Sequence, residues 1–244
     1  MRRTLIPALV AVGAMTGTTA ATSLDIQYLG VDSLGTYHIR VDGSNKHVYA
    51  GRMTYRVDSG SHGSFTPGTS FYSFCVDLDQ LVKSEPKPYD VHTNGAGEGL
   101  GIDDLAADTG GMGETRAKAL SYLFLNHFED AVSGSDRKAS AFQLAVWEII
   151  YEGTDSESLG TLNINQGDFK VTGGNDDAID DAQDLLDEIA GLNGAFGDIS
   201  NLLVGFGSTQ YQDQLTLIPL PAPVLMGLAG FGLAAVARRR MRKG

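Results

Sequence analysis

The residues best placed by type to do chemistry are Cys75 and Gln143. Cys75 is the one cysteine of 244 residues, so no intrachain disulfide and no Cys-rich zinc site can form. It falls in an apolar segment, residues 71–78, whose alternation reads as a strand with Tyr72, Phe74, Val76 and Leu78 on one face. Cys75 then shares the other face with Phe71, Ser73 and Asp77. A strand cysteine is ordinarily a small buried hydrophobe. Gln143 lies in a helical segment, residues 139–151, in which only Ser140, Gln143 and Glu148 are polar. A helix this apolar is buried, and a buried amide without partners costs about 1 to 3 kcal/mol. Gln143 must therefore be hydrogen-bonded or chemically transformed. Trp147, one turn on, is placed to cover it.

Phe74-Cys75-Val76-Asp77 on a strand and Gln143-Leu144-Ala145-Val146-Trp147 on a later helix resemble the paired signatures of Cys-Gln thioester domains of bacterial surface proteins. The resemblance spans residues 55–152. It departs at Phe142, where Thr is frequent, and Ser140 is the nearest hydroxyl that could substitute. It implies that the Cys75 thiolate attacks the Gln143 side-chain carbon, expels ammonia and leaves an internal thioester, with Trp147 shielding it. Proximity does much of the work in such a step, and the nucleophile is the thiolate. In that family an amine or hydroxyl on a host or matrix target then takes the acyl group, so the protein is a reactive binder acting once and not an enzyme. The same bond closes a loop of about 69 residues, worth roughly 4 kcal/mol by the loop-entropy estimate used for disulfides, which makes a stabilising staple the alternative role. Burial of Trp147 over the bond would favour the staple, and a solvent path to it would favour reactivity. A structural surface or matrix protein in which both residues are core members is the other alternative. Asp77, Asp79, Gln80, His92 and His127 are potential proton-transfer helpers, and their spacing selects none of them. A Ser-His-Asp hydrolase is disfavoured because there is no Gly-x-Ser-x-Gly elbow.

The elements that must position this pair follow from hydrophobic periodicity. Leu24/Ile26/Tyr28, Tyr37/Ile39/Val41 and Met53/Tyr55/Val57 alternate with polar residues, with turn material at residues 42–45 and 59–63, which predicts half-buried antiparallel strands. Residues 93–113 are rich in Gly and Asp and read as a loop; Asp103, Asp104 and Asp108 lack the EF-hand order of calcium ligands. Helices are expected over 115–130, with Leu120, Leu123, Phe124, His127 and Phe128 on one stripe, from a Ser135 or Asp136 cap to about 152, and over 175–192, where seven acids make a solvated face. Closing strands are expected at 201–206 and 214–218. The expected class is α+β, an antiparallel sandwich or barrel-like half packed against a small helical subdomain, with Cys75 and Gln143 at the junction.

The two ends read as addresses. Residues 1–21 combine Arg2 and Arg3, an apolar run and a small-residue cleavage site, the pattern of a secretory signal peptide. Residues 222–237 carry no charge and are followed by Arg238, Arg239, Arg240, Arg242 and Lys243. This is a short membrane helix with its basic end cytoplasmic. Ile218-Pro219-Leu220-Pro221-Ala222, the apolar helix and the Arg cluster resemble the VPLPA type of PEP-CTERM sorting signal. That resemblance implies cleavage by an exosortase-type protease and release to the cell surface or extracellular matrix after transient inner-membrane anchoring; a permanent anchor is the alternative. The organisation expected is a signal peptide at 1–21, an exported domain at 22–217 and a sorting tail at 218–244.

The net charge of −12 understates the acidity of the exported part. Setting aside the seven terminal basic residues leaves eleven Lys and Arg against thirty Asp and Glu, a charge of −19. Nucleic acid is excluded as a partner on this balance, since its recognition needs a basic footprint. No cofactor or metal is implied.

Overall fold

The computed structural model describes residues 22–93, 100–106, 110–152, 159–197 and 202–218. The expected signal peptide, most of the sorting tail and Asp108 lie outside them. Among the described residues no helix is long and apolar enough to cross a membrane.

The alternation at the start of the chain builds two long strands, β1 (Ser23–Val41) and β2 (Ser44–Ser59). They pair in register as a hairpin whose turn is Asp42-Gly43, both with positive φ (47° and 80°). Two consecutive left-handed residues define the turn that matches strand twist, and Gly and Asp tolerate it best. Three register shifts bend β1 along its length. Its first residues can therefore pair with β4 (Lys87–Thr93) and its last with β5 (Phe169–Gly173). With β3 (Ser70–Cys75), β6 (Leu203–Gly207) and β7 (Gln214–Leu217), the order is β2-β3-β7-β6-β4-β1-β5, all neighbours antiparallel, and the β1–β2 pairing brings the sheet round into a nearly closed ring.

Three helices pack on this ring: α1 (Gly113–Ser133), α2 (Asp136–Tyr151) and α3 (Asp176–Gly191). The fold is thus mixed α+β. Asn175 caps α3, its side chain accepting from Ala178 N at 3.0 Å, and Ser135 stands at the cap position of α2. Each helix agrees with its expected span to within three residues. Two strands, β4 and β5, escaped the sequence reading because each offers only two alternating apolar residues, Tyr89/Val91 and Phe169/Val171, too few to stand out from a loop.

The segment at 71–78 needs correction. The strand stops at Cys75, and Tyr72 is exposed while Phe71 and Ser73 are buried. Phe71 points into the ring, with ring centroids 5.1 Å from Phe65 and 5.1 Å from Phe206. Phe74 points the opposite way into an aromatic cluster with Phe124, Phe128 and Phe142, the last at 4.4 Å. The end of β3 is covered on both faces, so simple alternation of exposure does not apply there. The Gly- and Asp-rich stretch is likewise partly built: Ile102–Asp104 form a 3-10 turn, and Asp104 accepts from Gly101 N at 3.0 Å.

Arg52 of β2 fastens the helical layer to the ring. Its guanidinium donates to the carbonyls of Val132 (3.0 Å) and Gly134 (3.1 Å) at the C-terminus of α1, and to Asp32 (3.1 Å). A cation meeting the orphan carbonyls of a helix end is favourable on both hydrogen-bonding and dipole grounds. Arg52→Ala is expected to lower stability by about 2 kcal/mol, which is roughly 4–8 °C in Tm for a domain of this size. Arg52→Lys should recover less than half of that in a thermal melt, because an ammonium cannot fork between the carbonyls and Asp32.

Candidate functional site

The β2–β3 ladder ends at Ser73, opposite Met53, while β3 continues against β7 as far as Cys75, opposite Gln214. Beyond it Val76 N still donates to Asp213 O at 3.0 Å. In an antiparallel strand the N–H and C=O of one residue face the same side, and the next residue faces the other. Cys75 therefore offers its peptide groups on the side β2 has left. Gln143 takes both: Cys75 N donates to Gln143 Oε1 at 2.8 Å, and Gln143 Nε2 donates to Cys75 O at 2.8 Å. A side-chain amide thus stands in for the next peptide of the missing strand. Both residues have no exposed surface, so each of these bonds prevents a desolvation cost of about 1 to 3 kcal/mol.

Helix α2 supplies this amide because every residue from 139 to 151 is buried. Gln143, Trp147 and Tyr151 follow at successive turns. Tyr151 accepts from Leu78 N at 2.8 Å, just past Cys75. Trp147 is 1% exposed. Its indole N–H makes no hydrogen bond of good geometry among the described residues, yet it faces the Cys75 sulfur closely enough to favour the thiolate.

The sulfur itself lies 2.6 Å from Asp77 O and 3.4 Å from Asp77 N. Burial holds the thiol well above its ordinary pKa; contact with the Asp77 backbone and the Trp147 indole act against that, and the Asp77 and Asp213 carboxylates add to it. At neutral pH Cys75 is a protonated thiol. Asp77 turns the chain away, its Oδ1 accepting from Asp79 N (2.7 Å) and Gln80 N (3.2 Å).

Of the potential helpers, Asp77 contacts the sulfur through its backbone, and Gln80 stands in the turn that follows, its N–H donating to Asp77 Oδ1 at 3.2 Å. Asp79 pairs with Lys46, and His92 Nδ1 lies 2.8 Å from Gly101 O on β4. His127 lies 3.2 Å from Glu188 on the far side of the helical layer. Ser140 is not a substitute hydroxyl at the site: it donates to Ala50 O at 2.7 Å and accepts from Leu34 N at 3.2 Å, tying α2 to the hairpin. Among the described residues no group of three or more His, Cys, Asp or Glu could hold a metal ion.

The sequence showed Glu148 as a polar residue of a buried helix but assigned it no role, and it did not single out Glu152 just beyond α2. Glu148 accepts from Asn163 N at 2.7 Å through Oε1, while Oε2 has no partner among the described residues. Glu152 accepts from Asp168 N (3.0 Å) and Phe169 N (3.3 Å), and its carbonyl accepts from the buried Arg116 at 2.8 Å. Gly167, at φ 107°, lets the loop pass against that carboxylate, where a Cβ would lie 2.2 Å from Oε2. A lone Glu in an apolar helix was the available signal.

No family model matches the chain, no curated protein matches its sequence, and no solved structure matches its fold.

Burial, with Glu152 nearby, raises the Glu148 pKa to about 8. A carboxyl whose pKa is raised on folding binds its proton more tightly in the native state, so its contribution is full below about 4.5 and is lost as pH rises to about 8. At roughly 1.4 kcal/mol per unit, the loss amounts to a few kcal/mol. Glu148→Gln keeps the acceptor for Asn163 and should flatten the decline in denaturant-melt stability between pH 5 and pH 8.5. An unchanged decline would show that Glu148 is not its source.

Proposed function

We propose that this is an exported surface or matrix protein in which Cys75 and Gln143 form an internal thioester able to attach the protein covalently to an amine- or hydroxyl-bearing target. The observation that carries the reading is the Gln143 carboxamide held on the Cys75 peptide at 2.8 Å by both its oxygen and its nitrogen. That arrangement fixes the amide on the peptide of the residue that carries the thiol before any reaction, and holding the reacting groups together beforehand is where an intramolecular step gains most.

The step balances without a co-reactant. The Cys75 sulfur bonds to the Gln143 side-chain carbon, the carbon–nitrogen bond breaks, and the amide nitrogen leaves as ammonia with the thiol proton. The thiol is protonated at rest, so the proton moves with the leaving group, and the Trp147 N–H faces the sulfur through the charge-separated stage. An amine then forms a new carbon–nitrogen bond and returns Cys75 as a thiol. The domain acts once and is not an enzyme.

One observation favours the second role, a stabilising crosslink: Trp147 is 1% exposed, and Cys75 and Gln143 are wholly buried. The satisfied amide also suits a core pair with no reactive bond. The N-terminal signal peptide at 1–21, the barrel-like domain at 22–217 and the VPLPA-type tail at 218–244 complete the reading, with an exosortase-type protease as transient partner, passage through the membrane by the C-terminal helix, and final residence on the cell surface or in the matrix.

Intact mass of protein from the producing cell is expected to be lower than the processed sequence by one ammonia, to regain mass as the methylamine adduct, and to show neither change in Cys75→Ala. Full mass, with Cys75 alkylated after denaturation, excludes the thioester. Methylamine addition to the folded protein assigns the reactive role, whereas addition only after unfolding assigns the crosslink. The same spectrum checks the tail: residues 238–244 should be missing, and their persistence excludes processing.

A further inference from the structure

The outer face of the β5–β1–β2 strands carries a basic recess of about 260 Å³ on an otherwise acidic protein. His38, Arg40, Lys46, His47, Lys170 and Thr172 contribute to its lining, and among the described residues no carboxylate does. Three of the eleven Lys and Arg between residues 22 and 217 therefore meet in one place. Strand register puts them there. Residues 37, 39 and 41 of β1 are buried, which leaves His38 and Arg40 facing out. His38 lies opposite His47 of β2, and Arg40 lies opposite Lys170 of β5.

The Arg40–Lys170 pair is the telling feature. Like charges directly opposite on antiparallel strands are destabilising. Neither cation has an acidic partner among the described residues, whereas Lys46 is engaged by Asp79 and by Leu78 O at 3.0 Å. The imidazoles of His38 and His47 stand with centroids 4.2 Å apart, adding ring nitrogens to the same outer face. An oxyanion between the two strands turns a repulsive pair into charge-assisted hydrogen bonds, with the Arg40 fork able to take two oxygens.

We propose that this recess is a binding site for one oxyanionic group, a carboxylate, sulfate or phosphate, held chiefly by Arg40 and Lys170. Its volume falls below the roughly 300–1,000 Å³ of pockets that enclose a small molecule, so it takes a group and not a whole metabolite. The charge of −19 around it repels an extended polyanion, which confines recognition to a single anionic substituent. This site does not depend on the thioester.

The test is titration of the full chain, at low and constant ionic strength, with sodium sulfate, sodium phosphate and a neutral oligosaccharide bearing a single uronic acid, following the imidazole NMR signals of His38 and His47. Saturable shifts are expected, with affinity at least tenfold weaker in Arg40→Gln and in Lys170→Gln and unchanged in Arg56→Gln, which lies outside the recess. Both Gln variants should melt no lower than the parent without anion, since each removes a like-charge contact. Binding of the inorganic ions identifies a free ion as the source, and binding of the mono-uronate oligosaccharide alone identifies a group borne on a glycan; either supports the site. No saturable shift with any probe, or equal affinity in all variants, overturns it.

Discussion

A peptide-like pair between a helix side chain and a strand backbone joins the two halves of this protein. Where β2 leaves β3, the ladder would expose the N–H and C=O of Cys75 inside the molecule; the Gln143 amide closes both. Unpaired, these groups would make the junction of ring and helices untenable, because buried backbone groups are almost always bonded. The rest of the arrangement follows from that contact. It sets the depth and rotation of α2, and hence the positions of Trp147 against the sulfur, Tyr151 against Leu78 and Phe142 against Phe74.

The same contact concentrates polar groups in an apolar helix. Ser140 ties α2 to the hairpin and Gln143 ties it to β3, while Glu148 and Glu152, the latter just past its end, tie it to the 159–169 segment, so the buried polar residues of α2 and its C-terminus reach three neighbours. Such contacts contribute specificity of placement as much as stability, since a shift of α2 by one residue would leave all of them unsatisfied. They also fix the ionisation of the core. Burial keeps the Cys75 thiol and the Glu148 carboxyl in their neutral forms near neutral pH. A buried neutral thiol on the residue whose peptide holds a fixed carboxamide suits either a sheltered bond or an inert core pair, and chemistry at the sulfur separates them.

Charge is distributed on a different logic. Acidic residues cover α3, where Asp181 pairs with Arg137 and Glu188 with Tyr122 and His127. The few cations of the middle of the chain are used as fasteners, Arg52 at a helix end and Arg116 on a carbonyl, with Arg40 and Lys170 left facing one another. Cations spent on carbonyls hold the fold, and cations set against each other in register leave room for something from outside.

Much of this was legible in order along the chain. Period-two alternation pointed to β1 and β2, closing strands were expected where β6 and β7 lie, the three helices followed from apolar patterning and the helix starts near Ser135 and Asn175, and the apolar run around Gln143 demanded a buried partner for its amide. Those are local properties, set by side-chain periodicity and capping chemistry. What identified Cys75 as that partner through its peptide, ended β3 at Cys75, placed Ser140 on the hairpin and not at the sulfur, and recruited the short β4 and β5 was tertiary. Each depends on which strand departs from which, and strand departure is decided by bulges and long-range register that no stretch of sequence carries alone. The pairing of Arg40 with Lys170 is of the same kind: 130 positions apart in number, they meet only because β5 returns to the edge of β1.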